Sequence, residues 1–189
     1  ALGILGMPGA TAYLGVNELL KPKKGEVFFV NAAAGAVGST VGQIAKIMGC
    51  KVIGCAGSPD KIAWLKKIGF DVVFNYKTDD QAKALKEAAP EGIHCFFDNV
   101  GGDLRNQVLK DHMATFGRVV ICGALSTYNK PDQGNIEVPF LTLLGKGLHI
   151  YAFRVYDHTE KWNASFEQMA KWIKAGKLQH KEHVTEGFE

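Results

Sequence analysis

Cysteine is scarce in this sequence and poorly placed for metal or redox work. Cys50, Cys55, Cys95 and Cys122 form no C-x-x-C pair and have no histidine at ligand spacing. They read as reduced core residues of a cytoplasmic protein, and no metal site is expected. Also missing is any run of about 18 apolar residues, and no basic leader precedes an apolar stretch, so neither a membrane span nor a secretory signal is supported. Charge forms no block. The net charge of +3 is spread over scattered lysines, which leaves nucleic-acid binding without a footprint. No tyrosine is followed four positions later by lysine, which disfavours the short-chain reductases with their Y-x-x-x-K pair, and no internal repeat or low-complexity tract occurs. What is present suffices for a substantial single core: 47% hydrophobic and 22% charged residues over a length of 189.

The most informative stretch is Val30-Asn31-Ala32-Ala33-Ala34-Gly35-Ala36-Val37-Gly38. An apolar strand (Val27 to Val30) runs into a loop of very small residues and then into a helix with Val41, Ile44, Ala45 and Met48 on one face. Gly35 and Gly38 let a backbone approach an anion and let helix and strand pack closely, and the free N–H groups of the new helix favour negative charge. With Gly49 as a stop and a second strand at Lys51 to Ala56, this makes a strand-turn-helix-strand unit of the ~30 residues that a dinucleotide half-site needs.

The tip of that second strand speaks to which dinucleotide. NAD sites place an Asp or Glu about 20 residues beyond the glycines to hold the ribose hydroxyls, but here the chain reads Cys55-Ala56-Gly57-Ser58-Pro59-Asp60-Lys61. Ser58 reads as an N-cap and Pro59 as the first helical residue, which puts Lys61 in the first turn, beside a dipole that already favours a phosphate. That suits the 2'-phosphate of NADPH, provided Asp60 points away. The alternative for Lys61 is an ordinary exposed helix lysine.

Strand and helix then alternate. A first helix runs from Pro8 to about Leu20, helices are expected at 58–68, 79–89 and 103–115, and strands at 72–74, 93–97, 118–122 and 149–155. A last helix carries Trp162, Phe166, Met169, Ala170 and Ile173 as a packing stripe. Near-continuous apolar strands joined by helices imply an α/β fold: a Rossmann-type doubly wound parallel sheet of about six strands with helices on both faces. Such sheets bind ligands at the carboxyl ends of their strands. The fourth strand ends in Asp98-Asn99-Val100-Gly101-Gly102 and the fifth in Gly123-Ala124-Leu125-Ser126-Thr127-Tyr128, each polar and small enough for a groove wall or a plain turn. Segment 126–139 lacks periodicity and is expected to be a mobile loop or lid. The sequence starts at Ala1 without Met and ends at Gly187-Phe188-Glu189 without a closing element, which reads as an excised piece.

Five segments in order, Gly6 to Tyr13, Asn31 to Gly38, Phe74 to Lys77, Phe97 to Gly102 and Ile121 to Ala124, make the chain resemble the prostaglandin reductases of the zinc-independent medium-chain dehydrogenase/reductase superfamily. The resemblance implies an NADPH-dependent oxidoreductase that reduces the carbon-carbon double bond of enones such as 15-oxoprostaglandins and small alkenals. By position, Gly35, Ala36, Val37 and Gly38 resemble the pyrophosphate turn, and Lys61 and Tyr76 the 2'-phosphate contacts. Asn99 resembles a ribose or nicotinamide contact. Cys122, Gly123, Ala124, Leu125, Ser126, Thr127 and Tyr128 resemble the loop beside the nicotinamide ribose, and Phe153, Arg154 and Val155 the strand that contacts the carboxamide. Arg154 stands where the family usually has a hydrophobic residue, and Gly145 where it often has a carbonyl-polarising tyrosine, so no catalytic residue is assigned. The resemblance further implies a connecting helix at 1–24, an NADP-binding domain at 25–175, the start of a return segment at 176–189, and a homodimer. A quinone oxidoreductase, a zinc alcohol dehydrogenase, or a nucleotide-binding module without turnover are the alternatives.

Overall fold

The computed structural model describes residues 3–130, 135–137, 139–182 and 187. Helix α1 (Met7–Leu14) begins with Pro8 in its first turn, where the missing N–H costs nothing, and widens into a π-helical coil at Gly15–Leu20. Six parallel strands follow, β1 (Val27–Val30), β2 (Lys51–Ala56), β3 (Val72–Asn75), β4 (Ile93–Asp98), β5 (Met113–Ile121) and β6 (His149–Ala152). They lie in the order β3-β2-β1-β4-β5-β6, the doubly wound arrangement expected from the alternation of strands and helices.

The connecting helices are α2 (Ala36–Ile47), α3 (Pro59–Lys67), α4 (Gln81–Ala88) and α5 (Gly102–Gln107), the last widening into a π-helical coil at Val108–His112. Helix α6 (Phe140–Lys146) and helix α7 (Trp162–Lys174), the latter preceded by a 3-10 stretch at Val155–Lys161, complete the chain. Alternation along the strands sends Phe28, Val30, Val52, Phe97 and Val120 to one face, where they pack with α1, α2 and Leu65 of α3. Phe29, Ile53, Phe96 and Val119 go to the other face, against Leu85 of α4 and Val108 and Leu109. Both faces are thus buried, which is why the strands read as apolar runs.

Several boundaries differ from the sequence reading. Strand β5 starts at Met113, not Arg118: β4 pairs Ile93 with Met113 and then Cys95 with Arg118, so residues 114–117 bulge out, with Phe116 at φ 58°. The helix expected to reach 115 therefore ends at His112. Strand β6 stops at Ala152, which puts Phe153, Arg154 and Val155 after the strand. Helix α6 was not foreseen, because its Phe140, Leu141 and Leu144 are exposed and give no one-sided core signal. Ser58 flanks α3 without a side-chain capping bond. The expected mobile loop at 126–139 includes positions 131–134 and 138, which lie outside the described residues; its described parts are the turn through Lys130 and positions 135–137 and 139.

Candidate functional site

A groove of about 630 Å³ opens at the carboxyl ends of β1 to β4, across the point where the strand order reverses. Its floor is the loop between β1 and α2. Ala32 adopts φ 45° there, and Gly35 N–H closes the turn on Ala32 O at 3.0 Å. Gly38 is buried in the first turn of α2, and a Cβ on it would stand 2.4 Å from Ala32 O and 2.8 Å from Ala33 Cα, so only glycine lets the helix seat on the loop. At Gly35 an added Cβ would meet only Ala32 O, at 3.3 Å. Gly35 flanks α2 as its N-cap without a side-chain capping bond, so the first-turn N–H groups carried by Ala36, Val37 and Gly38 take no side-chain acceptor. A helix start of this kind, at the mouth of a groove, attracts an anion.

Ser58 and Lys61, at the start of α3, and Tyr76 and Lys77, in the turn after β3, line the groove together. Gly57 makes this possible: a Cβ there would lie 2.8 Å from Tyr76 Oη and 2.9 Å from Lys77 Cε. Asp60 is exposed and does not line the groove; Asp103, at the start of α5, is the acid among the lining residues. Lys77, Gln81, Gly57 and Asn31 were not singled out from the sequence. Lys77 follows Tyr76 directly, and that adjacency was the available signal.

The walls are the loops after β4 and β5. Val100, Gly101, Leu125 and Ser126 line the groove. The two loops are stitched together by Ser126 N–H to Val100 O at 3.0 Å, Ser126 Oγ to Val100 O at 2.8 Å and Leu125 N–H to Asn99 O at 3.3 Å. Asn99 is nearly buried and hydrogen bonded to Asn31. Cys122, Gly123, Ala124, Thr127 and Tyr128 continue the β5 loop beside Asn99 without lining the groove: a Cβ on Gly123 would meet Asn99 O at 2.7 Å, and Tyr128 Oη accepts from Ala124 N–H at 3.4 Å. Burial, and then the charge of Asp98, push the Cys122 thiol up to about 11.

Phe153, Arg154 and Val155 sit elsewhere. Val155 is buried against Ala10 and Leu14, Phe153 packs near Gly15, and Arg154 makes an exposed ion pair with Asp157 at 2.9 Å. Gly145 lies on α6 with open space around it. Among the described residues no three His, Cys, Asp or Glu side chains gather as a metal site, and no described helix is long and apolar enough to cross a membrane.

Known proteins resemble this chain along its whole length. Prostaglandin reductase 1 of Bos taurus is 52% identical over 195 aligned positions, covering 100% of this chain and 58% of that protein. The NADP(+)-dependent 2-alkenal reductase of Nicotiana tabacum is 46% identical, covering 99% of this chain and 54% of the relative. The chain therefore spans little more than half the length of the curated relatives it matches. Among solved structures, CurA of Vibrio vulnificus in complex with NADPH superposes with a TM-score of 0.89 at 37% identity, over 98% of this chain and 56% of that one. Residues 36–175 match the family described as zinc-binding dehydrogenase. With that match running from the start of α2 to the end of α7, on a six-stranded doubly wound sheet, the chain belongs to the zinc-binding dehydrogenase family.

Proposed function

We propose that this chain is the NADPH-binding part of a reductase acting on the carbon-carbon double bond of α,β-unsaturated ketones and aldehydes. The observation that carries the reading is the meeting, in one groove, of an uncapped helix start with Lys61, Tyr76 and Lys77, where no carboxylate stands at the tip of β2. The identity to reductases of prostaglandins and alkenals supports the substrate class.

In this reading the N–H groups of Ala36 to Gly38 hold the pyrophosphate, with Gly35 leaving room for it. Lys61, Tyr76 and Lys77 hold the 2'-phosphate, while Asn99, Ser126 and the loop from Cys122 to Tyr128 flank the nicotinamide ribose. When bound, the nicotinamide would supply a hydride for the β-carbon of an enone, the α-carbon then taking a proton from water or from a donor outside the groove residues named above. The groove walls would orient the ring and limit its contact with water. Although the family's description names zinc, the described residues offer no cluster to hold it. Residues 25–175 form the cofactor domain in this reading, 1–24 connect to a substrate-side domain and 176–189 begin the return to it. Assembly as a homodimer and residence in the cytosol belong to the same reading.

The test has two parts. Titrating the chain with NADPH and NADH tests the cofactor. Measuring NADPH oxidation with a 2-alkenal, a 15-oxoprostaglandin and a quinone, in a protein extended to its relatives' length, tests the reaction. Turnover of the quinone alone would replace the enone reading by a quinone reductase.

A further inference from the structure

Gln43 lies on α2 two helical turns past Ala36, with 3% of its surface exposed. Its amide is fully engaged. Nε2 donates to Ser39 O at 3.1 Å, one turn back on the same helix, and to Gln179 O at 2.9 Å, while Oε1 accepts from Gln179 N–H at 2.7 Å. With both amide protons and the oxygen committed, the group has one orientation. It holds the two main-chain groups of one residue 136 positions away, as the edge of a neighbouring strand would.

The segment so held leads away from α7. Lys177 N–H and Leu178 N–H turn back to Trp172 O at 2.8 and 3.3 Å, and Leu178 is buried. Residues 179–182 are all exposed, and among the described residues no hydrogen bond involves 180–182. Gln179 is therefore the last of them to be tied down. An apolar side chain at position 43 would fill the same space and leave Gln179 free to turn to water, so the amide does more than pack. Since it takes main chain only, it sets where the segment runs and not which side chains the segment carries. Helix α2 is also the element whose first turn faces the groove, so one rigid body fixes both the groove floor and the path of the segment.

We propose that Gln43 is a positioning residue: by clamping the main chain of Gln179 to α2, it fixes the line on which the segment after α7 leaves the cofactor domain, and so sets the substrate-side part of a longer protein against the groove. The proposal rests on the reading above of 176–189 as the start of a return segment.

The experiment uses Gln43→Met, which keeps the volume and removes the donor and the acceptor, with Gln179→Ala as the control that leaves the main chain in place. Hydrogen exchange and NADPH titration are measured on this chain, and turnover of a 2-alkenal on a protein extended to its relatives' length. In Gln43→Met the Gln179 amide should exchange faster by about tenfold or more while Phe29 in β1 keeps its rate, because only the segment is released. NADPH affinity should stay within about twofold, whereas kcat/KM for the alkenal should fall by about fivefold or more as the two parts lose register. Gln179→Ala should leave affinity and turnover within about twofold of wild type. A wild-type Gln179 amide that exchanges like an unstructured peptide, unchanged turnover in Gln43→Met, or a fall in turnover matched by an equal loss of NADPH affinity would each overturn the proposal. If Gln43→Met fails to fold, Gln43→Leu is read by the same criteria. A longer wild-type protein that turns over no enone would overturn the function proposed above and not the clamp, which small-angle scattering then decides: Gln43→Met broadens the distance distribution of the longer protein if the clamp sets its geometry, and an unchanged distribution overturns it.

Discussion

Lys61 shows how a single side chain can carry cofactor choice. It stands in the first turn of α3 at the groove wall, with Tyr76 and Lys77 over Gly57 and no acid among them. Lys61→Ala should weaken NADPH by about 1 to 3 kcal/mol, between the worth of an exposed ion pair and a desolvated one, and leave NADH nearly unchanged. Titration of both cofactors against both variants checks this; equal losses would remove Lys61 from the phosphate site. At the opposite end of the sheet Glu26 pairs with Arg118 and accepts from Lys23 N–H at 2.8 Å. Burial works to raise its pKa, but Lys23 N–H and Arg118 outweigh burial and hold it below the ordinary 4.5. A carboxyl depressed in the folded state stabilises the fold above its unfolded pKa, and that stability is lost as pH falls through the folded value. Glu26→Gln should therefore lower stability near neutral pH and flatten its decline in acid below 4.5, read from denaturant unfolding across that range. Lys61 stood out in the sequence because an expected acid was missing nearby, whereas Tyr76 was reached through the family resemblance alone. The Asn31–Asp98 bond was not legible, since its partners are 67 positions apart and meet only when β1 and β4 pair.

At the scale of elements, the loop-to-helix junction separates folding from binding. Gly38 faces backbone: a Cβ 2.4 Å from Ala32 O has nowhere to go. Gly38→Ala should cost about 1 to 3 kcal/mol of stability through overpacking, measured by thermal unfolding without ligand. Gly35 is exposed and faces open space beyond Ala32 O, and its φ of −74° suits any residue. Gly35→Val should leave the fold largely intact and abolish the stabilisation that NADPH gives the wild type. If the variant still gains that stability, the pyrophosphate does not sit on this turn. The six strands were legible because both sheet faces are covered and each strand is apolar. The early start of β5 was hidden by the bulge at 114–117, where Phe116 is 69% exposed and breaks the alternation. Helix α6 was hidden for a related reason: its Phe140, Leu141 and Leu144 are exposed and give no one-sided apolar pattern.

For the molecule as a whole, the proposed function gives cofactor binding to this chain and turnover to a protein of its relatives' length. The groove is built from the ends of β1 to β4 and the loop after β5, all within residues 31–126, whereas the curated relatives are nearly twice as long. The chain alone should fold and bind NADPH yet reduce enones only feebly, because the developing enolate needs a dry wall and a fixed donor. NADPH consumption with a small alkenal, compared between this chain and the longer protein, checks that division; equal rates would place the polarising group here, with Tyr128 and Tyr151 as first suspects. Calorimetric titration of the chain with NADPH and NADH side by side decides whether the groove is an NADP site. Saturable one-site binding of NADPH is expected, with NADH bound more weakly by about tenfold or more; equal affinities, or no binding of NADPH, would contradict it.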